Sequence, residues 1–103
     1  MKYKEYDIRL VKSHYVSDGN LAVAMLDTED DSIVNVVTVN LNESSACEKD
    51  HAYIDTNNNG LELIDWLEKN NIAKTTGYAA VSGYCIYPEV KFNSEVLEQM
   101  EER

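Results

Sequence analysis

Cysteine occurs only twice in this chain of 103 residues, proline once and glycine four times. Two thiols, Cys47 and Cys85, are too few for a disulfide framework and read as reduced cysteines of a cytoplasmic protein. The glycines stand singly at 19, 60, 77 and 83, which leaves no glycine-rich loop to cradle a phosphate. The nine lysines and arginines are scattered, so the clustered cations that phosphate contacts require are missing and direct nucleic-acid binding is not expected. No stretch approaches the roughly 18 apolar residues of a membrane span, and Met1–Asp7 lacks the apolar segment of a signal peptide.

Acid is abundant instead. Nineteen aspartates and glutamates give a formal net charge of −10, a field that attracts basic surfaces. Hydrophobic content of 44% is a normal globular share, so the charge does not imply disorder. The length suits a single domain spanning residues 1–103.

Periodicity points to an α+β fold: a small antiparallel, mostly meander sheet with one central helix and a short C-terminal helix. Within residues 3–16, Tyr6, Ile8 and Leu10 alternate with Asp7 and Arg9 as in a half-buried strand. A turn at Ser17-Asp18-Gly19-Asn20 leads to the apolar run 21–26, a central strand. The acidic turn 27–32 precedes a third, β-branched strand over 33–41. Residues 42–51 read as a polar loop and 52–54 as a short strand. A helix is expected over about 60–70, capped by Asn58 or Asn59, with Leu63, Ile64 and Leu67 on one face and Asn70 and Asn71 at its end. Residues 73–83, punctuated by Gly77 and Gly83, read as a loop. A strand over 84–92 carries Pro88, which assigns it, or that part of it, to an edge or a bulge. Ser94 caps a last helix whose final glutamates, Glu101 and Glu102, oppose its dipole and predict fraying.

The chemistry-bearing groupings are few. Asp55-Thr56-Asn57-Asn58-Asn59-Gly60 resembles the start of a calcium loop, with Asp55, Asn57 and Asn59 as ligands. Its twelfth position, which needs a bidentate carboxylate, is Trp66. The same residues also suit a helix-capping turn. Cys47, His51, Cys85 and His14 could be assembled into a zinc set, but no CxxC or HxxxH pair anchors one. Cys85 with a histidine lacks any nucleophile motif. No metal, no cofactor and no catalytic residue are therefore expected, and the chain reads as a non-enzyme.

Two groupings remain as candidate contact surfaces. Asp27, Glu29, Asp30 and Asp31 form the densest acidic group, and Glu43, Glu48 and Asp50 follow on the next loop. If both loops lie on one face, their carboxylates imitate part of the charge density of a nucleic-acid backbone; acidic residues equally serve solubility. Tyr78, Tyr84 and Tyr87 cluster late in the chain, where Tyr84 and Tyr87 could anchor a partner or simply fill a small core.

The blocks Ala52-Tyr53-Ile54-Asp55-Thr56-Asn57-Asn58-Asn59, Trp66-Leu67-Glu68-Lys69-Asn70, Thr76-Gly77 and Ser82-Gly83-Tyr84-Cys85-Ile86-Tyr87-Pro88 resemble a family of short proteins of unknown function. That family is carried by conjugative elements and phages of Gram-positive bacteria. The resemblance spans Ala52 to Phe92 and reaches the first half only in outline. In length and charge the chain is also similar to small acidic anti-CRISPR proteins that inhibit type II RNA-guided effector nucleases. This resemblance implies a cytoplasmic inhibitor in the bacterial host cell, seated in the basic channel that holds guide RNA or DNA. Its alternatives are an accessory of the mobile element that binds another protein through the tyrosine-rich strand, or a weak calcium module at Asp55–Gly60.

Overall fold

The computed structural model describes residues 1–41 and 49–103 of the chain. Two small sheets and three short helices enclose one core, in the order β1 Lys2–Tyr3, β2 Tyr6–His14, β3 Leu21–Asp27, β4 Ile33–Val36, β5 Thr38–Val39, β6 His51–Ile54, α1 Thr56–Asn59, α2 Glu62–Lys69, β7 Ala73–Ser82, β8 Cys85–Phe92, α3 Ser94–Gln99 and β9 Glu101–Glu102. The α+β class and the largely antiparallel pairing agree with the sequence pattern.

The first sheet runs β1-β2-β3-β4, with β9 also on β2. The meander expected over the first three long strands is present: β2 pairs antiparallel with β3 from Ile8 opposite Asp27 to His14 opposite Leu21, and β3 with β4. The second sheet runs β5-β6-β8-β7. What had read as one strand over 33–41 is shared between the sheets. Val37 is buried at the crossing; its N–H donates to the Val23 carbonyl and its carbonyl accepts from Asp55 N–H, both at 3.0 Å. Thr38 follows, buried, its hydroxyl accepting from Val23 N–H and bonding the Tyr15 hydroxyl. A β-branched run satisfies either sheet equally, so the switch leaves no mark in composition.

The core is built from alternate residues of the strands and one stripe of α2. Ile8, Leu10, Val23 and Met25 come from the first sheet and Ile54, Val90 and Phe92 from the second. Leu63, Ile64 and Leu67 come from α2, as its periodicity requires. Burial of each large side chain contributes on the order of 1.5–3 kcal/mol. Asp55, rather than Asn58 or Asn59, supplies the local cap, and it caps the extra turn α1; α2 has no side-chain cap. At the far end Asn71 adopts φ 58° and Ile72 N–H returns to the Leu67 carbonyl, the left-handed ending expected there.

Three elements refine or overturn the sequence expectation. Residues 73–82 form a ten-residue strand, β7, and not a loop. Gly77 (φ 92°) provides a bulge between Thr75 and Ala79, and Gly83 (φ 61°) opens the two-residue turn to β8. Glycine-based punctuation therefore marks features of a hairpin. Second, β8 as a whole is an inner strand, and only the part of it that holds Pro88 is an edge, one of the two placements the proline allowed. β6 reaches only Glu89–Lys91 of β8, so the missing N–H falls just where pairing on that side stops. Third, α3 is capped by Asn93 instead of Ser94 and ends at Gln99. Glu101 and Glu102 then lie in β9, parallel to Val11 and Lys12 of β2. They escape the helix dipole, and the expected fraying gives way to a docked strand. Lys12 secures the junction, its Nζ donating to the Leu97 carbonyl at 2.6 Å while its own carbonyl accepts from Arg103 N–H.

Candidate functional site

The acidic turn folds through its own side chains. Asp27 carboxylate accepts from Glu29 N–H at 2.8 Å and Asp30 carboxylate from Ser32 N–H at 2.9 Å, while Asp31 takes φ 61°. Asp and Asn tolerate these local bonds and the left-handed backbone. The hydrogen bond from Ser32 holds the Asp30 carboxyl below the ordinary carboxylate range. Glu29 and Asp30 are exposed and Asp27 is half-buried.

Asp31 differs in being paired. Arg9 approaches it at 2.6 Å and Arg103 at 3.6 Å, and Glu101 closes the group through both arginines. Hydrogen bonding from Arg9 lowers the Asp31 pKa, and hydrogen bonding from Arg103 lowers that of Glu101. Asp31 thus ties the β3–β4 turn to β2 and to the C-terminus, and its charge is largely balanced.

Asp50 lies elsewhere. It lines a cleft of about 350 Å³ with Lys12, His14, Asn20, Lys49 and His51. His14 and Leu21 mark one end of the β2–β3 hairpin and Ile8 and Asp27 the other, six strand residues or roughly 20 Å away. The expected single acidic face therefore does not form from Asp50 and the Asp27–Asp31 turn. Glu43, Glu48 and Cys47 lie outside the described residues.

The calcium-like segment closes on itself. Both Asp55 carboxylate oxygens accept from Asn58, and the Asn59 amide donates to the Asp55 and Val36 carbonyls. His14 faces Glu102 at 3.6 Å, and His51 faces Glu89 at 3.2 Å.

Among the described residues, four of the exposed large apolar side chains lie on the far half of the β7–β8 hairpin. Beyond the reach of β6, Ala79 pairs with Pro88, Ala80 with Tyr87, Val81 with Ile86 and Ser82 with Cys85. Directly opposed residues share a face, so Ala79, Val81, Ile86 and Pro88 form one side. Val81 and Ile86 are 68% and 63% exposed; Tyr78 is 75% exposed and Tyr84, at the tip, fully so. The other side carries Ala80, Ser82, Cys85 and Tyr87. Tyr87 is half-buried, and interaction with the neighbouring Cys85 thiol raises its pKa. Tyr84 and Tyr87 thus point to different surroundings, and of the two Tyr84 is the open one.

This arm is anchored at its base. Glu89 accepts from the Thr76 hydroxyl at 2.9 Å as well as facing His51, while Tyr78 N–H donates to Thr76 Oγ1. Thr75–Pro88 is the longest stretch of the chain without a charged side chain, fourteen residues in all. Val81 was missed in the sequence because 73–83 read as a loop, and Ile86, inside the strand expected over 84–92, was passed over for its tyrosine neighbours; the uncharged run was the signal that could have found both. Among the described residues no group of three or more His, Cys, Asp or Glu could hold a metal ion, and no helix is long and apolar enough to cross a membrane.

The model of a domain of unknown function, DUF4313, matches residues 9–103. No curated protein and no solved structure matches the chain.

Proposed function

The chain belongs to the DUF4313 family, and from that premise we propose that it is a non-catalytic protein-binding module whose contact surface is the apolar face of the β7–β8 arm. One observation carries this reading: a net charge of −10 is interrupted by fourteen uncharged residues that hold Tyr78, Val81, Tyr84 and Ile86 in solvent. Contiguous exposed apolar area of this kind, anchored on a rigid base, is what protein partners bury, with aromatic residues as anchors. Scattered single apolar residues need no such account.

For the partner, the resemblance to anti-CRISPR inhibitors supports a type II RNA-guided effector nuclease in the bacterial cytoplasm. In that complex the arm supplies apolar contact. Asp27, Glu29 and Asp30 on the acidic turn supply charge toward the basic channel, adding steering and salt dependence more than affinity. Asp31 is committed to Arg9 and Arg103 and contributes position rather than free charge.

The test is co-elution with a purified type II effector, apo and guide-loaded, at low and high salt. The double variant Val81→Asp/Ile86→Asp abolishes co-elution while keeping the native circular dichroism spectrum; both side chains are largely exposed, and the two opposed carboxylates lower the melting temperature only modestly. Glu29→Lys/Asp30→Lys weakens binding mainly at low salt. Full binding by the double aspartate variant contradicts the arm as contact surface. No co-elution by the wild type with either form removes the effector as partner.

A further inference from the structure

Alongside its apolar face, the arm has an open backbone edge. β7 is the outer strand of its sheet, and the register determines which of its groups face outward. Phe92 N–H donates to the Asp50 carbonyl, so in β8 the backbone groups of residues 92, 90 and 88 point toward the β6 side. Those of Tyr87 and Cys85 then point toward β7 and bond Ala80 and Ser82, their partners in the register. The missing N–H of Pro88 agrees with this alternation. By the same alternation, Ala79 and Val81 present their N–H and C=O groups to the open side.

The two ends of β7 are treated differently. At its base the outward N–H of Thr75 is taken by Glu68 of α2 at 3.3 Å. Past the bulge no such cover is present among the described residues, and neither lysine nor proline guards residues 76–82 of β7, the usual protections of an edge.

We propose that the occupant of this edge is a second copy of the chain, paired antiparallel through β7 about a two-fold axis at Ala80. Ala79 then exchanges both backbone hydrogen bonds with the partner's Val81, and Val81 with the partner's Ala79. Ala80 lies opposite its own counterpart in a non-hydrogen-bonded pair, where Cα atoms approach to about 4.5 Å and two alanine side chains meet without crowding. The segment is self-complementary in the way a two-fold contact demands. Charge selects the same occupant. Two bodies of −10 repel, but Thr75–Pro88 carries no charge, so this stretch lets like-charged copies meet without opposing carboxylates.

Pairing aligns the apolar faces of the two arms into one four-stranded platform, with Ile86, Val81, Ala79 and Pro88 of each copy on the same side. The edge serves self-association and the face remains available to another protein, so this inference stands apart from the partner reading above. An edge-to-edge contact over these few residues buries less than the roughly 800 Å² per partner of a standard interface, so the dimer depends on concentration.

Sedimentation velocity of the full chain from about 1 μM to 1 mM, at about 0.15 M and 1 M salt, tests the proposal. The wild type shifts from monomer to dimer over this range, and the higher salt favours the dimer by screening repulsion. Ala79→Pro removes an outward N–H without touching the β7–β8 ladder and stays monomeric with an unchanged circular dichroism spectrum. As a second reading, mild oxidation of Ala80→Cys links the two position-80 thiols, identified by peptide mapping. A wild type that remains monomeric at 1 mM, an Ala79→Pro variant that dimerises like the wild type, or cross-links that avoid position 80 each overturn it. Monomeric protein that still co-elutes with an effector removes the dimer and leaves the binding role intact.

Discussion

Asp31 shows how little a residue's formal charge says about its role. Its place in a run of acids suggested a free carboxylate, yet Arg9 and Arg103 converge on it from β2 and the C-terminus. The local hydrogen bonds of Asp27 and Asp30 were foreseeable from their turn chemistry, but the arginines come from positions 9 and 103, and no local pattern records such contacts. Asp31 and Glu101 both have folded pKa values below their unfolded ones. Their stabilising contribution is therefore complete above the ordinary carboxylate range and disappears as pH falls through the lowered folded values. Acidification toward pH 3 should release β9 from β2, read by NMR as averaging of the Glu102 and Arg103 amide resonances. Asp31→Asn should loosen the same strand at neutral pH while changing global stability little, since these pairs are exposed. Unchanged resonances in both experiments would mean that β9 is held by its backbone bonds and the Lys12 contact alone.

At the scale of elements, strong periodicity was readable and tertiary choice was not. α2 follows its apolar stripe, and Leu67 is fully buried in the core. Leu67→Ala should cost about 2–5 kcal/mol by chemical denaturation, a large part of the roughly 5–15 kcal/mol that holds a small domain. A loss under 1 kcal/mol would show that the core closes around the gap. β7 escaped notice because Gly77 and Gly83 are breakers by composition, whereas here they form a bulge and a tight turn. β5 and β9 have two residues each, too few for any pattern, and exist because β6 and β2 offer them backbone partners. Gly77→Val should destabilise the bulge, where φ is 92° and a β-branched residue is strained. Faster amide exchange in residues 78–88 than in β6 is the expected readout.

For the whole molecule, the α+β class, the opening meander and the acidic excess were legible from the chain. The division into two sheets was not, because Val37 crosses between them inside an unbroken β-branched run. Nor was the layout of charge: the body measures 36 × 25 × 23 Å, and Asp50 and the Asp27–Asp31 turn mark opposite ends of one hairpin. Opposite ends of such a body lie more than a Debye length of about 8 Å apart, so the net charge does not act as one face. The surface that stands out is the uncharged arm. Hydrogen exchange mapped over the chain, free at low micromolar concentration and then bound to a type II effector, tests that claim most directly. Binding through the arm gives new protection over residues 78–88. Protection confined to residues 27–31, with the arm exchanging as in the free protein, would contradict it.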